Sequence, residues 1–373
     1  MGDDGHPGNP AADGPDATLE ELRVRIDGLN AEILALLQAR AQVVLDIGLF
    51  KQGHGLDPYD PRREEEELHT VIDTMGGPFA PADVREIFRS IFRASLDLMD
   101  RRKRQTLHVR RPDLVPAGGI CVGHVAIGAG VPVLFAGPCS IETPEQMERI
   151  AAHLARYPGP KILRAGAYKP RTNPYAFQGL REEGLTILRD TARRFGLVTV
   201  TEVLDVSTLD VVAAHTDMLQ VGARNMYNTE LLKALGGIGK PVLLKRGFMA
   251  TVEELLMSAE YILAHGNDAV VLCERGIRTF EPWTRNTLDV ASVPLLKGET
   301  ALPVIVDLSH ALGRKDIMLP CGRAVLAAGA DGLMVEVHDH PDQALSDGFQ
   351  QLDLAGFDEL VAGLGLDGPA TAR

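Results

Sequence analysis

After residue 120 the chain repeats one pattern eight times: PVLFAG, KILRAGAY, LVTVTEVL, MLQVGA, PVLLKRG, DAVVLCERG, LPVIVDLSH and GLMVEVHDH, each followed by a segment of helical period. Apolar, β-branched runs without polar alternation belong to strands covered on both faces, as parallel sheets flanked by helices require. A succession of eight strand-and-helix units points to an α/β fold closed into a (β/α)8 TIM barrel. The preceding GICVGHVAIG is short enough for an extra hairpin across the bottom of that barrel.

Ahead of this region the period changes. Leu19, Leu22, Ile26, Leu29, Ile33, Leu36, Leu37, Val44 and Ile47 recur at helical spacing, Thr18 and Glu21 form a capping-box start, and Gly53 and Gly55 stop the run. At about 1.5 Å per residue the helix would be on the order of 50 Å long. Two further helices, near 61–75 and 81–104, flank the turn GGPFAP. They are too short to cover it, so long helices of two chains should cover one another in a homodimer or homotetramer. The division is then a disordered tail over 1–17, an all-α domain over 18–104, a basic, turn-rich linker over 105–119 and the barrel over 120–373.

Several function classes drop out. A net charge of −13 argues against nucleic-acid binding. No apolar stretch approaches the roughly 18 residues a membrane helix needs. The start, MGDDGHPGNPAADGPD, is acidic and rich in Gly and Pro, unlike a signal peptide. Cys121, Cys139, Cys273 and Cys321 show no zinc-ribbon or redox-motif spacing. These features fit a soluble cytoplasmic protein with reduced thiols.

Barrel chemistry collects at the C-terminal ends of the strands. There stand Cys139; Arg164, Lys169 and Arg171; Glu202; Arg224; Lys245 and Arg246; Glu274 and Arg275; Asp307 and His310; Glu336 and His338. All are expected to converge on one cavity. Cys139, His310, Glu336 and Asp347 form a mixed soft and hard donor set that suits Mn, Fe, Co or Zn better than Mg or Ca. Spacing alone leaves Cys139 open between a ligand and a small core residue. Arg164, Lys169, Arg171, Arg224, Lys245 and Arg275 form a cationic set for one or two substrates with several negative charges. Arg181 and Arg193, on helices, read instead as solvated surface cations.

The stretches AGPCSIE, GAYKPRTNPYAFQG, VGARNM, KRGFMATVEE, ERGIRT, VDLSH and VEVHDHPDQALSDGFQ together resemble the 3-deoxy-D-arabino-heptulosonate 7-phosphate (DAHP) synthases, over about residues 110–353. That family opens the shikimate pathway to aromatic amino acids. KPRT followed by an aromatic residue favours it over the 3-deoxy-octulosonate 8-phosphate synthases, which share barrel and chemistry. The resemblance implies a divalent metal, Mn above Fe, Co or Zn, on Cys139, His310, Glu336 and Asp347. It implies phosphoenolpyruvate against Arg164, Lys169, Glu202, Ala223, Arg224, Lys245 and Arg275, and the phosphate of erythrose 4-phosphate on Arg171 and Thr172. Lys169 is implied as a proton-transfer group, and Asp307 as lying near the metal and the aldehyde. One departure is Leu308, where related fused enzymes commonly carry proline.

The segment 18–104 resembles the all-helical chorismate mutases, which work as intertwined dimers. Matching positions for chorismate or prephenate are Arg23, Arg40, Lys51, Asp60, Arg63, Glu64 and Ser95. Arg40 and Lys51 share a helix face, whereas Arg23 points roughly 100° away; the resemblance implies that this first arginine serves the partner's site. Where the family carries Gln or Glu to donate to the breaking ether bond, this chain has Met99, and a thioether donates nothing. The helical domain is therefore either a working mutase, which would make the chain fully bifunctional, or a module with weak or no mutase activity that senses chorismate or prephenate and regulates the barrel.

Overall fold

The computed structural model describes residues 18–54, 56, 60–170, 173 and 175–367. The expected tail over 1–17, Arg171 and Thr172 lie outside the described residues. The chain divides into two units, Met1–Thr106 and Leu107–Arg373.

The first unit consists of α1 (Leu19–Gly53), α2 (Pro61–Asp73) and α3 (Pro81–Gln105). The capping box at the start of α1 forms: Thr18 N–H donates to Glu21 at 2.8 Å, and Glu21 N–H to Thr18 Oγ1 at 3.3 Å. Asp60 caps α2 by accepting from the N–H groups of Arg62 and Arg63. Among the described residues of this unit only Leu68 and Phe92 are buried apolar side chains. Leu22, Ile26, Leu29, Ile33 and Ile47 on α1 are exposed, and Leu36 is 71% exposed. In length and composition α1 also meets the requirement for a membrane-crossing helix, with a mean hydropathy of 1.6 in its apolar window. That corrects the sequence expectation, because Arg40 and Asp46 interrupt the apolar run without lowering its average enough.

In the second unit β1 (Ile120–Val122) and β2 (Val125–Ile127) form an antiparallel hairpin. A closed parallel barrel follows: β3 (Val133–Gly137), β4 (Lys161–Arg164), β5 (Val198–Val203), β6 (Met218–Val221), β7 (Val242–Lys245), β8 (Val270–Glu274), β9 (Val304–Asp307) and β10 (Gly332–Glu336). The strands neighbour one another in chain order, and β10 returns to β3 with Glu336 opposite Gly137. Around them lie α4 (Pro144–Ala155), α5 (Glu182–Phe195), α6 (Leu209–His215), α7 (Thr229–Gly237), α8 (Val252–Leu263), α9 (Ser292–Glu299), α10 (Leu308–Leu312), α11 (Met318–Ala327) and α12 (Leu354–Leu364).

Strand alternation produces two cores. Val133, Phe135, Ile162, Met218, Leu243, Val271, Ile305 and Met334 fill one, together with Ile120, Val122, Val125 and Ile127 of the hairpin. Their alternating neighbours, such as Leu134, Ala136, Leu333 and Val335, join the helices in the other. The hairpin closes the barrel bottom: a Cβ at Gly123 would meet Val198, and one at Gly128 would meet Pro303, both at strand starts.

The stretch read as linker is partly docked on the barrel. Glu260 of α8 accepts the backbone N–H groups of His108 at 3.1 Å and Val109 at 2.8 Å, and both Val109 and Leu114 are buried.

Candidate active site

Barrel closure makes neighbours of residues far apart in the chain. Glu336 ends β10 beside Gly137, so Cys139, two residues further on, sits next to it. Gly137 is required there: its φ is +145°, and a Cβ would stand 2.1 Å from the carbonyl oxygen of Arg164. Ligand atoms of Cys139, Glu336 and Asp347 lie within 4.8 Å of one another. His310 Nε2 is 3.4 Å from Glu336 Oε1, which brings the fourth expected ligand to the group.

Asp307 is wholly buried and accepts from His310 Nδ1 at 2.8 Å and from His310 N–H at 3.0 Å, and it pairs with Lys245. A carboxylate only accepts, so Nδ1 carries the proton and Nε2 offers its lone pair toward Glu336. Burial would raise the Asp307 pKa, but His310 and Lys245 hold the carboxyl well below its usual range. Its oxygens are thus occupied with Lys245 and His310, and it does not line the cavity described below.

Burial and the nearby Glu336 push the Cys139 thiol up to about 12, against the pull of Lys169 and Arg164. Glu336 goes the other way: burial would raise it, yet His310, which is protonated in the acid range where Glu336 titrates, together with Arg164 and Lys169 brings it down to about 2. Arg164 donates to Glu336 Oε1 at 2.7 Å, and Lys169 Nζ lies 3.1 Å from Cys139 Sγ. Burial lowers the pKa of His310, favouring the neutral imidazole.

Asp347 arrives on the loop after β10 with φ +48°, an uncommon conformation outside glycine. Three ties hold that loop to the β3 end: Cys139 N–H to Gln351 Oε1 at 3.0 Å, Ser140 Oγ to Ser346 Oγ at 2.9 Å, and Leu345 N–H to Glu142 Oε1 at 2.9 Å.

Beside this group opens a cavity of about 290 Å³. Arg164, Lys169, Glu202, Ala223, Arg224, Lys245 and Arg275, every residue expected around phosphoenolpyruvate, line it together with His310 and Asp347. Gly222 must lack a side chain, because its Cβ would overlap Glu202 Oε1 at 1.9 Å.

Besides Asp307, three strand-end groups depart from the expected convergence. Arg246 and Glu274 pair with each other at 2.9 Å, and Arg246 also pairs with Asp289 at 2.8 Å. Each sits next in sequence to a lining residue, Lys245 or Arg275, and adjacent strand residues face opposite ways. His338 lies 2.9 Å from Gln146, away from the cavity lining.

Sequence reasoning missed Arg285, Phe248 and Gln350. Arg285 donates to Asp347 at 3.2 Å and to Gln350 at 2.6 Å, while Gln350 donates to Glu336 at 2.5 Å. All three sit in loops beyond the strand ends, where no apolar run marks them.

In the helical unit, Arg40 donates to Ser95 Oγ at 2.7 Å, lies 3.8 Å from Glu67 and stacks its guanidinium 5.1 Å from the Phe92 ring. Arg63 pairs with the same Glu67 at 3.3 Å. These contacts gather Arg40, Arg63 and Ser95 from three helices. Lys51 and Glu64 are half-buried, Asp60 is occupied in capping α2, and Arg23 is exposed beside Glu20 at 3.6 Å. Met99 rests against Gly48 of α1, where an added Cβ would be 3.1 Å from its methyl group.

Comparison with known proteins agrees with both halves. Residues 104–364 match the DAHP synthetase I family and residues 22–100 match chorismate mutase type II. A phospho-2-dehydro-3-deoxyheptonate aldolase of Thermotoga maritima is 53% identical over 242 residues, 65% of this chain and 71% of the relative. Its crystal structure superposes with a TM-score of 0.64 at 52% identity, covering 66% of this chain and 72% of that one. A 2-dehydro-3-deoxyphosphooctonate aldolase of Syntrophobacter fumaroxidans is 32% identical over 245 residues, 61% of this chain and 84% of the relative.

Proposed function

Because the chain belongs to the DAHP synthetase I family, we propose that its barrel condenses phosphoenolpyruvate with erythrose 4-phosphate to DAHP and phosphate, with a divalent cation at Cys139, His310, Glu336 and Asp347. The observation that carries this reading is a single cavity lined by six cations, Arg164, Lys169, Arg224, Lys245, Arg275 and Arg285, beside that donor group. In the reaction C3 of phosphoenolpyruvate bonds to the aldehyde carbon, water adds at C2, and phosphate leaves as the C–O bond breaks.

The donor set fits a cation of borderline softness, Mn above Fe, Co or Zn. Glu336 is ionised, His310 presents a neutral nitrogen fixed by Asp307, and Cys139 is a thiol whose proton a cation would displace. Bound there, the metal would supply Lewis-acid polarisation of the aldehyde oxygen. Arginines and lysines hold the two anionic substrates together against their repulsion and stabilise charge that moves during reaction. Lys169, at 2.8 Å from the Cys139 carbonyl, is the group we assign to proton transfer. Arg171 and Thr172 are assigned to the phosphate of erythrose 4-phosphate. Asp307 acts through His310 and Lys245.

We further infer that the helical unit binds chorismate or prephenate at Arg40, Lys51, Arg63 and Ser95, completed by Arg23 of a second chain, and slows the barrel when occupied. The observation favouring sensing over fast mutase turnover is Met99, which offers no hydrogen-bond donor. Removal of one such donor costs about 100-fold or more in rate. Arg40 lies midway along the apolar row of α1 and pairs with Ser95 and Glu67, so a second chain covers that row better than lipid does. The setting we infer is cytoplasmic.

Product analysis tests the barrel. Phosphoenolpyruvate with erythrose 4-phosphate should give DAHP, and arabinose 5-phosphate should be a poor acceptor; the reverse preference would overturn the assignment. For the helical unit, prephenate or chorismate should inhibit DAHP formation while chorismate itself is consumed slowly. No inhibition by either ligand would remove the sensing role.

A further inference from the structure

We infer that Phe248 is a positioning residue, whose ring holds the guanidinium groups of Arg224 and Arg275 in the arrangement that receives the phosphate of phosphoenolpyruvate. The inference rests on the assignment of those two arginines to that substrate.

Three guanidinium groups surround this one ring. Arg275 Cζ lies 4.6 Å from its centroid, Arg278 Cζ 4.9 Å and Arg224 Cζ 5.5 Å. All fall inside the roughly 6 Å range in which a cation is attracted to an aromatic face. For Arg224 the ring is the partner the structure offers: among the described residues it makes no hydrogen bond and no ion pair. Arg275 is better held, donating to the carbonyls of Gly276 and His310 at 3.2 Å each.

The site poses a problem that the ring solves. A phosphate group wants two guanidinium groups within a few ångströms of each other, and before substrate arrives they repel. A carboxylate between them would hold them but cancel the charge the substrate needs. An aromatic face orients both planar cations through its quadrupole and leaves their net charge intact.

The loop that carries the ring is tied at several points. Phe248 follows β7, and its carbonyl accepts from Arg278 N–H at 2.7 Å. Gly247 N–H points to Met226 Sδ at 3.0 Å, and Arg246 closes the loop on Ala250 O at 2.8 Å while tied to Glu274. Thus Arg246 and Glu274, which leave the cavity to their neighbours, brace the loop that carries the ring.

The test compares Phe248→Leu, Phe248→Tyr and Arg275→Ala in the full chain, by steady-state kinetics with each substrate varied and by calorimetric titration of phosphoenolpyruvate. Leucine keeps apolar bulk but not the quadrupole, so F248L should raise KM and Kd for phosphoenolpyruvate about tenfold. The kcat and the KM for erythrose 4-phosphate should stay within about twofold, and F248Y should match the unmodified chain. A wild-type KM in F248L would reduce the ring to packing and overturn the inference, as would equal losses for both substrates. R275A separates the two levels: if it leaves the phosphoenolpyruvate KM unchanged, the substrate assignment itself fails, whereas a raised KM beside a normal F248L rejects the role of Phe248 alone.

Discussion

Phe135 and Leu36 are both large apolar side chains in regular elements, yet Phe135 is wholly buried in the barrel and Leu36 is 71% exposed on α1. The closed sheet and its ring of helices hide two cores within one chain. The helical unit buries only Leu68 and Phe92 among its described residues. One half therefore completes its own core, and the other leaves a row of apolar side chains exposed on α1. The same contrast holds for function. The barrel assembles its donor group and cavity from its own strand ends, whereas Arg23 stands apart from the Arg40, Arg63 and Ser95 contacts of its own unit.

The contrast can be tested at its strongest point by truncating the interior. Phe135→Ala should destabilise the barrel by about 3–5 kcal/mol, read as a lowered midpoint in denaturant unfolding of the barrel transition. A change below 1 kcal/mol would mean the inner core is not close-packed. Met99→Gln restores a donor in the helical unit and should raise chorismate turnover about 100-fold. An unchanged rate would show that the missing donor is not what limits that site. Leu36→Ala should leave the barrel transition alone and weaken association between chains by about 2 kcal/mol, measured by sedimentation. Unaltered association would mean that the apolar row of α1 is not the contact.

The smallest effect concerns acid. The Glu336 pKa near 2 lies below its ordinary 4.5. Its contribution to stability is therefore present above pH 4.5 and is lost as pH falls through about 2. The melting temperature of the barrel should decline across that window, and a flat profile would contradict the ionised, cation-surrounded Glu336.

Much of this was readable in the sequence, for identifiable reasons. The barrel strands are legible because burial on both faces leaves unbroken apolar runs, from VLFAG of β3 to GLMVE of β10. The cavity lining was legible because chemistry gathers where those runs end. What escaped depended on direction and on loops. Arg246 and Glu274 stood at the right ends but faced their own partners, since neighbouring strand residues point oppositely. Arg285 and Gln350 reach the donor group from loops whose course no periodicity encodes. Asp307, expected near the metal and the aldehyde, is joined to the donor group through His310 and also pairs with Lys245, contacts that no spacing in the sequence specifies. The apolar window of α1 was overlooked because Arg40 and Asp46 break the run.

The measurement that bears most directly on the whole account is the rate of DAHP formation by the full chain before and after exhaustive chelation, followed by addition of Mn²⁺. The account predicts loss of turnover on chelation and its return with the metal, with the release of about one proton per metal bound as the Cys139 thiol ionises. Full turnover in the chelated protein would contradict it.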